Sequence, residues 1–231
     1  MVDSASALPG RDREIFIVPT SHAVLGSTLH PEDADLERIY LAMGCFWGAE
    51  ELYWQLPGVA ATSVGYMGGF TEHPTYEEVC TGLTGHTETV FVAYRPAEVS
   101  TFDILKVFWE HHDPTQGYRQ GNDVGTQYRS AIFFTTAEQE SVAVATRDSY
   151  ARVVAERGEL GRGEERAVQR VLELGVARGE RARRRRGGVR AGRREARRRA
   201  LVPLVPFGRE ALKVDADVVA AEPGRVRAVE A

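Results

Sequence analysis

Sulfur is scarce in this chain: its 231 residues include two cysteines and three methionines. Two thiols exclude the disulfide-dense scaffold of small secreted domains, and they are too few for a closed structural zinc site without histidines. No stretch reaches the roughly 18 uninterrupted apolar residues that a membrane helix needs. The opening MVDSASALPGRDREIFIVPTSHAVL has no basic start followed by an apolar run, so no secretion signal is read there. A reducing cytoplasm is the expected location, and no membrane partner is expected. The length is enough to bury a proper core in one domain with an appendage.

The formal net charge of −4 hides a division. Residues 1–150 carry 8 basic and 21 acidic side chains, a balance of −13, and residues 151–231 carry 21 and 12, a balance of +9. The second part also lacks Cys, His, Trp, Tyr, Met, Ile, Asn, Ser and Thr altogether. It consists almost wholly of Arg, Ala, Gly, Val, Glu and Leu, with an arginine-rich run over residues 181–200. The composition predicts three parts: an extended N-terminal lead-in over 1–37, a folded domain over 38–157, and a divergent low-complexity tail over 158–231 that is poorly ordered.

Within the middle part, ERIYLAMG, VAATSVGYMGG, HTETVFVAYRP and AIFFTT read as strands. A helix is predicted from Trp47 to Pro57-Gly58, with Glu50 and Glu51 in its first turn. PTYEEVCTG reads as a short helix with Pro74 in its first turn. Ser100 caps an amphipathic helix through His112, and Thr136 with Gln139 forms a capping box that opens a helix through Tyr150. Between them lies a polar loop, Asp113–Ser130, longer than most connections in a compact domain and therefore a candidate functional segment. Strands and helices mix without a βαβ rhythm. The expected fold is α+β, a two-layer sandwich of a mixed sheet with packed helices.

One cysteine stands in GCFWGAEE, after a strand and at the start of a helix. Free amide N–H groups there stabilise a thiolate and lower the thiol's proton affinity, which makes Cys45 a candidate nucleophile. Phe46 and Trp47 beside it can form an aromatic pocket for an apolar group. By itself a lone cysteine in such a place is more often a small buried side chain. His111-His112-Asp113 has metal-ligand residue types, but neighbouring histidines after a helix point in different directions, and no metal site is expected. His86 reads as a turn residue.

GCFWGAEE, PTYEEVCTGLTGHTE and FWEHHDPTQGYRQGNDVGTQYRSAIFF, in that order and spacing, resemble the type A peptide methionine sulfoxide reductase family from about Arg38 to Tyr150. HAVLG at His22–Gly26 resembles the lead-in of some members. The resemblance implies reduction of methionine-S-sulfoxide, free and in proteins, by a monomer with no bound cofactor. It implies Cys45 as the nucleophile that attacks the sulfoxide sulfur, with Phe46 and Trp47 holding the methyl group. Glu88 is then the carboxyl that hands a proton to the sulfoxide oxygen. Tyr76 and Tyr128 hydrogen-bond that oxygen, and Asp123 is a second carboxylate of the site. The chemistry is coherent, because a sulfoxide oxygen leaves only when protonated and a desolvated carboxyl beside a second one keeps its proton near neutral pH. The product is a sulfenic acid on Cys45, and the implied reductant is thioredoxin or a small thiol.

Beyond about Arg157 the resemblance stops. Family members continue with an aromatic, acidic segment and a glycine-rich end bearing resolving cysteines, and neither is present. Only Cys80 remains as a candidate for that step, in a place that matches a non-essential family position. The tail's arginines could pair with phosphates, but it has no interleaved aromatics, and a nucleic-acid partner is not expected. Its composition fits codons of a GC-rich gene read in the wrong phase. The rival to an active reductase is a degenerate binding protein that keeps the methyl-sulfoxide pocket.

Overall fold

The computed structural model describes residues 1–158, 161–171 and 202–203. Strands β1 (Glu37–Ala42), β2 (Val59–Met67), β3 (Thr87–Tyr94), β6 (Ala131–Phe134) and β7 (Val202–Pro203) form one sheet in the order β6-β1-β3-β2-β7. A separate two-stranded ribbon joins β4 (Arg119–Gln120) to β5 (Asp123–Val124). The helices are α1 (Phe46–Trp54), α2 (Tyr76–Cys80), α3 (Thr101–Glu110), α4 (Ala137–Glu156) and α5 (Arg162–Arg170). The α+β architecture is as the sequence implies, but every pairing in the sheet is antiparallel rather than mixed.

β3 lies at the centre, and all eight of its residues are buried. Its two faces are closed by different material. Val90, Val92 and Tyr94 face a core built with Ile39, Leu41, Phe46, Tyr53, Ile104, Leu105 and Phe108, so helices α1 and α3 cover that side. Phe91 and Ala93 face the other way and pack with Leu36, Ala61 and Tyr40. His30 lies over Phe91 with ring centroids 5.0 Å apart, which places the lead-in across this second face.

Hydrogen bonds fasten the lead-in to the domain. Arg11 donates both guanidinium arms to Glu78 at 2.7 and 2.8 Å. The Nδ1 atom of His22 accepts the amides of Val24 and Leu25, so Nε2 carries the proton toward Thr62 Oγ1 at 2.9 Å. Thr62 in turn donates to Glu50 on α1 at 3.0 Å. HAVLG is therefore a turn that serves a buried histidine.

Local signals for helix starts hold in part. Ser100 and Asp103 form a full capping box on α3. Thr75, not Pro74, caps α2, with Glu78 completing the box, so the proline stands outside the helix. Thr136 accepts the Gln139 amide, but the Gln139 side chain turns to Thr135, Glu37, Arg38 and Tyr94 instead of closing a box. The α4 helix runs on to Glu156. The long loop is filled with structure: 3₁₀ turns at Pro114–Gln116 and Thr126–Tyr128 flank the β4–β5 ribbon.

The boundary after residue 157 falls inside packed structure. Helix α5 lies against α4 and the Pro114–Gln116 turn, and it brings Val168 and Val171 into the main core with no exposed surface. The Val171 carbonyl accepts the Ile132 amide of edge strand β6 at 3.0 Å. The arginine-rich run lies outside the described residues. Removing two methyl groups from a closed core costs about 1–3 kcal/mol. Val168→Ala is therefore expected to lower the free energy of unfolding by that much, read from the denaturant midpoint.

Candidate active site

Cys45 is the residue just before α1, at its N-cap, and it reaches solvent. Gly44, which turns the chain from β1 into that position, has φ +90, a conformation that L side chains avoid. A Cβ there would also stand 2.6 Å from the Gln120 side chain. The glycine thus lets the ribbon of the long loop pack against the chain just before the cysteine.

The central contact of the site runs from helix to sheet. The amide of Phe46, first residue of α1, donates to Glu88 Oε2 at 3.1 Å. Glu88 sits on β3, on the face shared with Val90 and Val92, and is 3% exposed. A carboxyl so enclosed resists ionisation. Burial lifts it to about 7, the Phe46 N–H opposes that rise, and the negative charge of Asp123 adds to it. The expectation of a carboxyl protonated near neutrality, with a second carboxylate nearby, agrees with this environment.

The thiol departs from expectation. The N–H groups of Trp47 and Gly48 do favour the thiolate, as a helix start should. Burial is the largest influence and acts the other way, and Glu88 and Asp123 add their charges to it, so the net direction is upward. The sulfur touches solvent, but the protein atoms behind it remove much of its hydration. The helix start also differs from expectation: α1 begins at Phe46, so Glu50 and Glu51 lie past its first turn.

The two aromatic neighbours separate. Phe46 is buried and tilts against Tyr66 with centroids 5.9 Å apart, whereas Trp47 is 63% exposed. They form a floor and an open wall, a shape that suits a small apolar group entering from solvent.

The other candidates converge here. Tyr76 opens α2 and lies within electrostatic reach of Glu88 and Cys45, while its hydroxyl bonds to the Cys80 sulfur. Tyr128 ends the second 3₁₀ turn, and burial with the charges of Glu88 and Asp123 pushes its phenol up to about 12. Asp123 stands exposed on β5. The turn carrying Tyr128 is held by Arg129, a buried guanidinium that donates to the carbonyls of Gly85, His86 and Thr126 at 2.8–3.0 Å. Thr87 adds bonds to the carbonyls of Gln127 and Arg129. These contacts set the position of Tyr128 relative to the start of β3.

The histidines hold structure. His86 is buried, accepting the Gly69 amide at Nδ1 and meeting the Thr71 carbonyl at Nε2. Burial lowers it to about 4, so it is more than a turn residue. His112 bridges the Phe108 carbonyl and Ser130, and His111 meets the Val107 carbonyl.

Tyr66 was not singled out in the sequence. It is 1% exposed, stands directly opposite Glu88 in the β2–β3 register, and its hydroxyl has no hydrogen-bond partner among the described residues. Only the strand register reveals that pairing.

The chain is similar to known proteins along most of its folded part. The model of the family described as peptide methionine sulfoxide reductase matches residues 37–157. The peptide methionine sulfoxide reductase MsrA of Rhodospirillum centenum is 62% identical over 149 residues, covering 64% of this chain and 68% of its own. That of Salinispora arenicola is 56% identical over 159 residues, covering 68% and 72%. Among solved structures, methionine sulfoxide reductase A of Corynebacterium diphtheriae superposes with a TM-score of 0.64 at 46% identity, over 69% of this chain and 76% of that one. With more than half of its length matched by the family model and its catalytic-type thiol and buried carboxyl brought together, the chain belongs to the peptide methionine sulfoxide reductase family.

Proposed function

We propose that this chain reduces the S epimer of methionine sulfoxide, free or within polypeptides, to methionine. The observation that carries the reading is the Phe46 amide to Glu88 contact, which fixes a buried carboxyl beside the residue that bears the thiol. The substrate's methyl group enters between Phe46 and Trp47. Its oxygen lies toward Glu88, Tyr76 and Tyr128, with Asp123 at the rim. Cys45 attacks the sulfoxide sulfur as thiolate while Glu88 delivers a proton to the oxygen. The oxygen ends on Cys45 as a sulfenic acid, and methionine leaves. A non-catalytic binder would gain nothing from a carboxyl raised to neutrality next to a thiol.

Two thiols then return the enzyme. The first condenses with the sulfenic acid, releasing water and forming a disulfide, and the second breaks that disulfide. Thioredoxin or a small thiol in a reducing cytoplasm supplies them. A second reading, in which Cys80 condenses first, is favoured by the bond between its sulfur and the Tyr76 hydroxyl in the same pocket. Counting free thiols after one turnover without reductant separates the two. Loss of one thiol per methionine formed means an outside reductant acts directly, and loss of two means Cys80 has joined Cys45. Cys45→Ser is expected to form no methionine in either case, measured by chromatography of the product. Full activity of that variant contradicts the reading.

The pH dependence follows from both groups. Glu88 releases its proton near 7, before the Cys45 thiol, whose proton affinity lies above the ordinary range. Catalysis needs one proton shared by the pair, on Glu88 with the sulfur ionised. Values of kcat/KM should therefore rise up to about pH 7, stay level, and fall only above the ordinary thiol range. Glu88→Gln is expected to remove the step near 7 and lower the rate about 100-fold or more, read from single-turnover methionine formation. Folded-state Glu88 binds its proton more tightly than an unfolded glutamate does. Its contribution to stability is thus full below about pH 4 and lost as pH rises through about 7. The same Glu88→Gln variant should flatten that part of the stability profile.

A further inference from the structure

The site contains one polar group with no assigned task. Tyr66 pairs with Glu88 across the β2–β3 ladder, so both side chains leave the same face of the sheet and stand side by side. Its ring is clamped against Phe46, the residue whose amide already holds Glu88. Its hydroxyl oxygen has no contact with solvent and no partner among the described residues. Leaving such a donor unbonded costs free energy, so its place in the site calls for an acceptor that becomes strong enough to draw it in during part of the cycle.

The bound sulfoxide is not that acceptor, because the enclosed hydroxyl offers no surface to a ligand. The carboxylate of Glu88 is, because an ionised carboxyl draws a donor roughly twice as strongly as a neutral one. While Glu88 is protonated, the Phe46 amide alone serves its Oε2 atom. Once the proton has gone to the substrate oxygen, a buried anion remains with one donor, facing the negative charge of Asp123. The other groups that face it are Cys45 before α1, Tyr76 on α2 and Tyr128 from the 3₁₀ turn. In the proposed function these three are engaged with substrate. Among these neighbours Tyr66 alone lacks another role.

We propose that Tyr66 is a positioning residue whose hydroxyl donates a hydrogen bond to the Glu88 carboxylate each time Glu88 has passed its proton to the bound oxygen. This rests on the proposed function, in which Glu88 is the acid. It explains why a phenol, and not a phenylalanine, occupies a dry position beside Phe46. Burial and the neighbouring charge of Glu88 raise the Tyr66 phenol far above its ordinary range, so it remains a donor at every working pH.

The test replaces the donor and reads Glu88. In Tyr66→Phe the lower step of the kcat/KM profile should move up by about one pH unit, since a carboxylate that loses a hydrogen bond holds its proton more tightly. KM on the level part of the profile should stay within about twofold, because the hydroxyl is shut off from the ligand. The denaturant midpoint should be unchanged or higher, as an orphan donor has left the core. Incorporating 3-fluorotyrosine at position 66, a stronger donor that preserves the ring, should move the step the opposite way. Infrared titration of the Glu88 carboxyl band in each protein reads the same shift without turnover. If no methionine is formed, the reductase reading fails while this band still decides the role of Tyr66. A step and a band that stay at their wild-type pH in both variants overturn the proposal, whether or not stability changes. So does an unmoved step with KM raised about tenfold, which would mean direct contact with substrate.

Discussion

A single backbone hydrogen bond organises the chemistry of this molecule. The Phe46 amide is one of the free donors at the start of α1, and it meets a carboxyl planted in the middle strand of the sheet. Without that donor Glu88 would be a buried acid with no hydrogen bond among the described residues. With it, the acid is fixed beside the residue that carries the thiol. The rest of the architecture makes the contact possible. Gly44 turns the chain sharply enough to start the helix there, and β3 is covered on both faces so that the carboxyl stays dry. The long loop delivers Asp123 and Tyr128 from the open side.

The balance of forces at the pair differs from a simple helix-dipole picture. Two amides stabilise the thiolate, yet the desolvation needed to keep Glu88 protonated also bears on the sulfur. The same dry surroundings that produce a neutral-range acid hold the nucleophile as a thiol in the resting site. In the proposed mechanism, transfer of charge from carboxylate to sulfur then belongs to the catalytic step and not to the resting enzyme. In the proposed function the partly exposed wall formed by Trp47 receives the substrate's apolar end and displaces water as it binds.

Much of this was legible in the sequence. Strand positions followed from alternation and apolar runs, and helix caps from Ser100 and Thr136, whereas the Thr75–Glu78 box of α2 was read as a proline start. The candidate residues were legible only as short motifs far apart in the chain, and the sheet brings them together. What was not legible depends on long-range geometry. The pairing of Tyr66 with Glu88 requires the register between β2 and β3, and the tie between Arg129 and the Gly85–His86 carbonyls requires the loop's path. The direction of the Cys45 shift depends on how much protein lies behind the sulfur, which spacing cannot report. Helix α5 was missed because its composition looks like the rest of the tail, yet two valines on one face are enough to dock it.

The central claim is that a buried carboxyl keeps its proton near neutrality beside a nucleophilic sulfur. Carbon-13 NMR of the glutamate side chains in the reduced wild-type protein, with Glu88 assigned by its absence in Glu88→Gln, measures this directly. The account predicts a Glu88 carboxyl resonance that titrates with a midpoint at about 7. A midpoint at about 4.3, where solvated glutamates titrate, would contradict it.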